Sequence, residues 1–260
     1  MKGLKLISGF NLKFKEWLSI PLLILVLFFV MAFVSIKQQK KVVKNIFVEI
    51  NSQDDIYFID EQTVLKLATL EERDPLLGRN SSEVNLREIE QRIKINKFAH
   101  QVHAYKDIKG DLYINVKQSL PIARLISQNY QGYISDKGFL LPLSNQYTPR
   151  TLIVTGQGVD RLCVKEVYND SITLSYFNLI KRIYEDTFLR TLFHMVDIQL
   201  NGEISLYPVI GKQVFLFGYP DAIDEKIQKI KIYFYKIAPS IGWNKYTYVN
   251  VKFNNQIIAE

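Results

Sequence analysis

Residues 18–36 read LSIPLLILVLFFVMAFVSI and contain no charged side chain. As a helix with a rise of about 1.5 Å per residue, this run would be about 28 Å long, close to the roughly 30 Å hydrocarbon core of a bilayer. A lone segment in lipid satisfies its backbone polar groups internally only as a helix. Trp17 lies at the end of the run, where aromatic residues anchor a span in the headgroup region. The run therefore predicts a single transmembrane helix over residues 18–36.

Two other interpretations of this run are a buried core helix and a cleaved signal peptide. A core helix is usually apolar along one stripe, whereas this run is apolar all round and has lysines beyond both ends. A signal peptide has a shorter apolar region and a small-residue cleavage site, and no convincing site precedes Lys37. We therefore expect an uncleaved anchor.

The charge of the chain is concentrated beside this run. Residues 1–44 hold eight lysines and one acidic residue, Glu16, which accounts for the whole net charge of +7. Residues 45–260 hold 25 basic and 25 acidic residues. Proteins that bind nucleic acids through a folded domain need a basic face on that domain, so the neutral balance argues against this class of function.

The lysines do not decide which way the anchor crosses the membrane. Four of them precede the run and four follow it, so the positive-inside count is tied. We interpret residues 1–17 as a short tail on one side and residues 37–44 as a basic connector on the other. The only cysteine, Cys163, can form no internal disulfide, and its alternating apolar surroundings favour a buried structural thiol.

Residues 45–119 are predicted to form a first domain. Residues 45–50 alternate as a strand, and two amphipathic helices follow; Asn85 begins the second helix, with Glu88 three residues later in a capping-box arrangement. Two further strands, at 98–105 and 112–117, meet at a tight turn. The expected order is β-α-α-β-β, an α+β sandwich of two helices on a small sheet.

Pro121 marks the start of a second domain, residues 120–260, which is predicted to be a mixed β domain with two helices. Short β-patterned runs lead to a helix over 172–192, and Asn201-Gly202 is a strong hairpin signal after it. A second helix is predicted to open at Asp221 and to end at Pro239 and Gly242. Its lysines are expected to face water: Lys226, Lys229, Lys231 and Lys236.

The last run, residues 246–258, alternates apolar and polar side chains and predicts one half-buried strand. Prolines and inward-pointing charges usually prevent another strand from pairing with a sheet edge. This run contains neither, so a partner could add a strand to it. A strand that only closes the sheet is the alternative. The candidate partner-binding residues are Tyr248, Asn250, Lys252, Phe253, Asn254, Asn255, Gln256 and Ile257.

No pattern in the sequence predicts an active site, a cofactor or a metal. His100 and His103 are three apart on a predicted strand and so point to opposite faces. Gly156-Gln157-Gly158 lacks the further glycine, the Gly-Lys-Ser/Thr sequence and the following helix of a phosphate loop. No nucleophile elbow occurs. We therefore expect a non-enzymatic interaction protein without a small-molecule substrate.

The order of tail, span, β-α-α-β-β domain and β domain resembles the FtsQ/DivIB cell-division proteins, whose first extracytoplasmic domain is a POTRA domain. The resemblance covers almost the whole chain. Its most specific parts are FIDEQTVLKL at 58–67, PIAR at 121–124, GYISDKGFLLPLS at 132–144 and YTYVNVKFNNQII at 246–258. The PLS-xx-YTPR stretch is similar to variants of the Bacteroidetes group.

This resemblance implies a divisome scaffold in the inner membrane, at the division septum, with a cytoplasmic N-terminus and a periplasmic C-terminal part. It implies that the extracytoplasmic part recruits the small division proteins FtsB and FtsL, with the closing strand as the site for FtsB, and that it thereby links septum assembly to peptidoglycan synthesis. Two other functions stay open from the residues alone: a POTRA-containing envelope assembly or secretion factor, and a membrane-anchored envelope hydrolase. The first would normally carry several such domains or a barrel, and the second would need a nucleophile or metal site.

Overall fold

The computed structural model describes residues 21–31, 41–51, 57–164 and 167–260. Residues 21–31 form helix α1, and every side chain of this helix is exposed. The rest of the predicted span, the predicted tail and the first half of the predicted connector lie outside the described residues. Within those described ranges, no helix has both the length and the apolar character needed to cross a membrane.

The described chain forms two compact units. The first comprises its residues up to 50 together with 61–95 and 101–116, and the second comprises the described parts of 51–60, 96–100 and 117–260. The region predicted as the first domain contains β1 (Ile46–Asn51), α2 (Glu61–Ala68), α3 (Leu86–Lys94), β2 (Ala99–Lys106) and β3 (Leu112–Gln118). The predicted β-α-α-β-β order is therefore confirmed. The three strands form a sheet in the order β1-β3-β2, so β3, the last of them in sequence, lies in the middle.

Apolar side chains at helical spacing form the core of the first unit. Helix α2 buries Val64 and Ala68, and α3 buries Ile89 and Ile93. Helix α3 begins at the predicted cap, because the Asn85 side chain accepts a hydrogen bond of 3.4 Å from the backbone N–H of Glu88. This cap satisfies a donor that the first helical turn leaves without an intrahelical partner.

The second unit contains a nine-stranded mixed sheet. Its strands are β4 (Pro121–Ile126), β5 (Gln131–Ser135), β6 (Leu140–Leu141), β7 (Leu152–Thr155), β8 (Phe193–Ile198), β9 (Ile204–Pro208), β10 (Val214–Gly218), β11 (Tyr248–Asn250) and β12 (Ile258–Ala259). Their order in the sheet is β12-β11-β10-β9-β8-β7-β4-β5-β6. Strands β4, β7 and β8 are parallel neighbours, and β10 and β11 are also parallel. The turn at Asn201-Gly202 joins antiparallel β8 and β9, as the hairpin signal predicts.

The first helical region of this unit is broken at Asp186, whereas the sequence predicts one helix over 172–192. Helix α4 (Ser171–Glu185) ends there and α5 (Thr187–Leu192) begins. Asp186 has an extended backbone, and its carboxylate accepts from the N–H groups of Phe188 and Leu189. The same carboxylate pairs with Lys231 at 2.6 Å. Capping and the ion pair together stabilise the break.

The last helical region begins at Ile223 rather than at Asp221. Helix α6 (Ile223–Ile232) follows Ala222, which has a left-handed backbone and forms no side-chain cap. A π-helical segment, Tyr233–Ile237, leads into α7 (Ala238–Ile241). Pro239 therefore lies within the helical region instead of ending it, and the widened turn before it accommodates its missing N–H. Gly242, at φ 104°, ends the helix as predicted.

Candidate protein interface at the closing strands

The closing segment is a short hairpin rather than the single strand predicted over 246–258. Strand β11 pairs in parallel with β10 through Val214↔Tyr248 and Phe215↔Val249. The chain then turns, and β12 pairs antiparallel with β11 through Val249↔Ala259. Asn255 has φ 56° in this turn, a left-handed conformation that asparagine adopts more readily than most residues. The edge of β11 is thus covered by β12, and β12 is the terminal strand of the sheet.

The backbone of β12 leaves one residue facing outward. Tyr248 and Glu260 exchange two backbone hydrogen bonds, of 2.9 and 3.0 Å. Bonded and non-bonded pairs alternate along an antiparallel ladder, so Ala259 directs its N–H and C=O away from β11. The open edge anticipated from the sequence therefore lies on β12 and not on the longer run.

The predicted partner-binding side chains fall into three places. Tyr248 and Asn250 are on β11, where the Tyr248 side chain is 47% exposed. Phe253 is 46% exposed in the turn, and Asn254, Asn255 and Gln256 are exposed with it. Ile257 is half-buried and packs against the apolar core. Phe253 does not share the inward face with the buried Val249 and Val251, as a single alternating strand would require, because the chain leaves the strand after Asn250.

Lys229, which was expected to face water, holds the turn after β11 through hydrogen bonds to its backbone. It is buried on α6, and its Nζ donates to the carbonyl oxygens of Phe253 at 2.6 Å and Val251 at 3.5 Å. Glu225 pairs with the same ammonium group at 2.8 Å and also accepts from the backbone N–H of Asn255. The hydrogen bond from Lys229 lowers the pKa of the Glu225 carboxyl. The prediction for Lys229 is wrong because its stem lies along the core while its charge reaches backbone oxygens.

Lys226 is the second lysine that the sequence wrongly places in water. Its side chain is buried; Nζ pairs with Asp221, donates to the Tyr219 carbonyl at 2.8 Å and lies 5.1 Å from the centre of the Phe217 ring. The hydrogen bond from Lys226 lowers the pKa of Asp221. Asp221 thus fixes the loop before α6 instead of capping the helix.

Lys252 connects the closing segment to the β8–β9 turn. Its Nζ pairs with Glu203 at 3.2 Å, and its backbone N–H donates to the Asn250 side chain at 3.0 Å. Gly218, at φ 75°, lies against the aliphatic part of the Lys252 side chain. A Cβ atom added to Gly218 would come within 2.7 Å of Lys252 Cδ. This position needs glycine both for its backbone conformation and for the close approach.

Other groups singled out in the sequence do not assemble into a reactive site. His100 and His103 differ in exposure along β2, and the ring centre of His100 lies 6.2 Å from that of Phe139. Burial raises the pKa of the half-buried Cys163 thiol, which donates to the Val159 carbonyl at 3.6 Å. Among the described residues, no group of three or more His, Cys, Asp or Glu side chains could hold a metal ion.

Two family profiles match the chain over the regions that these units occupy. The profile described as FtsQ/DivIB, C-terminal related, matches residues 120–260, and a POTRA-like domain profile matches residues 41–117. The first match alone covers more than half of the chain. The chain belongs to the FtsQ/DivIB family. This confirms the resemblance, and the fold agrees with it: a POTRA-like domain is followed by a mixed β domain with helices.

A relative within FtsQ/DivIB is the cell division protein FtsQ of Rickettsia conorii (strain ATCC VR-613 / Malish 7). The two sequences are 25% identical over 191 residues, which is 72% of this chain and 66% of the relative. The chain thus spans slightly less than two thirds of the length of this curated relative.

Proposed function

We propose that this FtsQ/DivIB chain is a non-enzymatic scaffold of the cell-division machinery, and that its closing hairpin binds FtsB- and FtsL-type division proteins. Through them it would link septum assembly to peptidoglycan synthesis. Support comes from membership of the family and from a relative that is named a cell division protein.

The observation that carries the proposal is the exposed edge of β12. Ala259 directs its backbone N–H and C=O outward there, and the exposed side chains of Tyr248 and Ile258 flank it. In strand addition, backbone bonds align the partner while neighbouring side chains provide specificity. Lys229 and Glu225 brace the turn behind this edge, so little ordering of the hairpin would be needed on binding.

The proposal includes a single-pass anchor over residues 18–36 in the inner membrane, with residues 1–17 in the cytoplasm. Residues 37–44 would connect it to periplasmic domains at 45–119 and 120–260, positioned at the septum. The uncharged run supports the span. The orientation rests on membership of the FtsQ/DivIB family, since the lysine count is tied.

The test compares two substitutions at the outward-facing residue of β12. Ala259→Pro removes the outward N–H, whereas Ala259→Val keeps it and adds bulk at the same position. The full-length variants would be purified in non-ionic detergent and used to capture the FtsB- and FtsL-type proteins of the source bacterium. We expect the proline variant to lose capture and the valine variant to retain it.

Melting curves decide whether a loss of capture reflects binding or folding. Tyr248→Ala provides a second variant, because its side chain is exposed and makes a small contribution to the core. Unchanged capture by the folded proline and Tyr248→Ala variants would refute the closing hairpin as the binding site.

A further inference from the structure

A cleft opens in the second unit where three parallel strands begin. Pro121 starts β4, Leu152 starts β7 and Phe193 starts β8, and these strands are neighbours in the sheet. The cleft has a volume of about 570 Å³. Its lining includes Ile122, Ile183 and Phe193 at the floor and Arg150, Arg190 and His194 at the rim.

The floor of the cleft is apolar and belongs to the core of the unit. Ile122, Ile183 and Phe193 are 1%, 1% and 3% exposed. They come from β4, α4 and β8, three elements that pack on one another. A floor held by a packed core keeps its shape, which favours the binding of an apolar group of a ligand.

The rim carries positive charge. Arg150, Arg190 and His194 are exposed there, and the Arg190 guanidinium lies 5.2 Å from the centre of the Tyr184 ring. None of the described lining residues has a carboxylate. The rim therefore carries two guanidinium groups beside an apolar floor, that of Arg150, which is exposed, and that of Arg190, which lies against Tyr184.

We propose that this cleft is a second binding site, and that its ligand is an acidic peptide segment of a partner protein that also carries an apolar side chain. Guanidinium groups recognise carboxylates through paired N–H donors, and Tyr184 places one of them over an aromatic face. The apolar side chain of the ligand would enter between the rim residues and contact the floor.

This site is separate from the closing hairpin. Strands β9 and β10 lie between β8, which lines the cleft, and β11. The cleft would therefore bind its ligand whether or not the hairpin binds a division protein, and the two proposals can fail independently.

The experiment measures fluorescence anisotropy of a short labelled peptide that repeats Glu-Glu-Leu, titrated with the full-length chain in non-ionic detergent. We expect saturable binding at low salt that weakens as salt rises. Arg150→Glu should weaken it about fivefold or more. Lys245→Glu, an equal change of charge on an exposed residue near β11, should change it less than about twofold.

Two control peptides test separately the contribution of the charged rim and that of the apolar floor. A peptide repeating Lys-Lys-Leu should not bind, because its charge matches that of the rim. A peptide repeating Glu-Glu-Ser should bind at least about fivefold more weakly, because it offers nothing to the apolar floor.

The proposal is overturned if the Glu-Glu-Leu peptide does not bind, or if Arg150→Glu and Lys245→Glu weaken binding equally. It is also overturned if the only Arg150-dependent ligand is a vesicle containing phosphatidylglycerol, since the site would then recognise a lipid surface.

Discussion

The ammonium nitrogen of Lys229 lies 2.6 Å from the carbonyl oxygen of Phe253. This contact joins α6 to the closing turn across 24 residues of sequence. It fixes the backbone of Phe253 while leaving its ring exposed. The turn is therefore held by its main chain, and its side chains stay available to a partner.

Lys229→Met should destabilise the second unit by about 1–2 kcal/mol, because it removes a charged donor and leaves the Phe253 carbonyl without that bond. Methionine keeps much of the packing of the lysine stem. The free energy of unfolding from chemical denaturation measures the effect. Lys236→Met, on an exposed residue of the same helical region, is the matched control and should change little. Equal stability of the two variants would show that the Lys229 contact contributes nothing measurable.

Phe253→Ala should leave the fold intact and weaken binding of the FtsB-type partner by roughly 2 kcal/mol, since exposed aromatic residues often dominate protein interfaces. Isothermal titration calorimetry on the full-length chain measures the change in Kd. Asn254→Ala, next to it in the same turn, should have a smaller effect. Unchanged affinity of Phe253→Ala would exclude that ring from the interface.

Asp186→Asn should lower stability at neutral pH by about 1–2 kcal/mol and reduce the acid sensitivity of the second unit. Burial alone would raise the pKa of Asp186, but the hydrogen bonds from Lys231 and the Leu189 N–H, with the nearby charges, hold it below its usual value. A carboxyl group whose pKa is lowered by folding contributes its full stabilisation at pH values above its pKa in the unfolded chain, about 3.9. That contribution is lost as the pH falls through its lower pKa in the folded state.

The difference between wild type and Asp186→Asn should therefore shrink as pH falls below about 4. Urea denaturation at several pH values measures it. Asp224→Asn is the control, because this carboxylate pairs with Arg182 at 3.0 Å but is 81% exposed. A difference that stays constant down to low pH would mean that the ion pair with Lys231 is not its cause.

Ile89→Asp should unfold the POTRA-like region, because it places an unpaired charge at a side chain that is 2% exposed, at a cost of about 4 kcal/mol or more. Gln91→Asp introduces the same residue at an exposed position of α3 and should be tolerated. Circular dichroism melting and septal localisation of a fluorescent fusion are the measurements. Native melting of Ile89→Asp would contradict the core position of this side chain.

An alkaline phosphatase fused after Glu260 should be active in cells, because it needs export and the proposed topology places this residue in the periplasm. Deletion of residues 18–36 should abolish the activity. A β-galactosidase fused at the same residue should be inactive with the intact run and active after the deletion, because this enzyme works only in the cytoplasm. Cytoplasmic β-galactosidase activity with an intact run would overturn the proposed orientation.

Local pattern predicted much of the fold. Asn85 and Glu88 correctly located the start of α3, and Asn201-Gly202 correctly located the β8–β9 turn. Both features depend on residues that are close together in sequence: a cap reaches three residues along, and a tight turn is decided by the two residues at its centre.

Two features that were not predicted depend on distant partners. The break at Asp186 is stabilised in part by Lys231, 45 residues away, and its one local signal was Asp186 itself, since aspartate is a preferred helix N-cap residue. Lys226 and Lys229 have the hydropathy of exposed residues. The carbonyl acceptor of Lys229 on Phe253 lies 24 residues away, whereas Lys226 contacts Tyr219 and Asp221 on the loop just before its own helix, where no periodic pattern indicates a contact. The closing turn, in contrast, is indicated by the sequence, since two adjacent asparagines, Asn254 and Asn255, favour a turn over a strand.

Strand β12 is only two residues long. A long exposed edge would be a template for other copies of the same chain, and the proposed membrane anchor would hold these copies in two dimensions at high local concentration. An edge that offers one outward residue gives too few backbone bonds for such self-association to propagate. The brevity of β12 therefore allows the chain to display a pairing edge without polymerising through it.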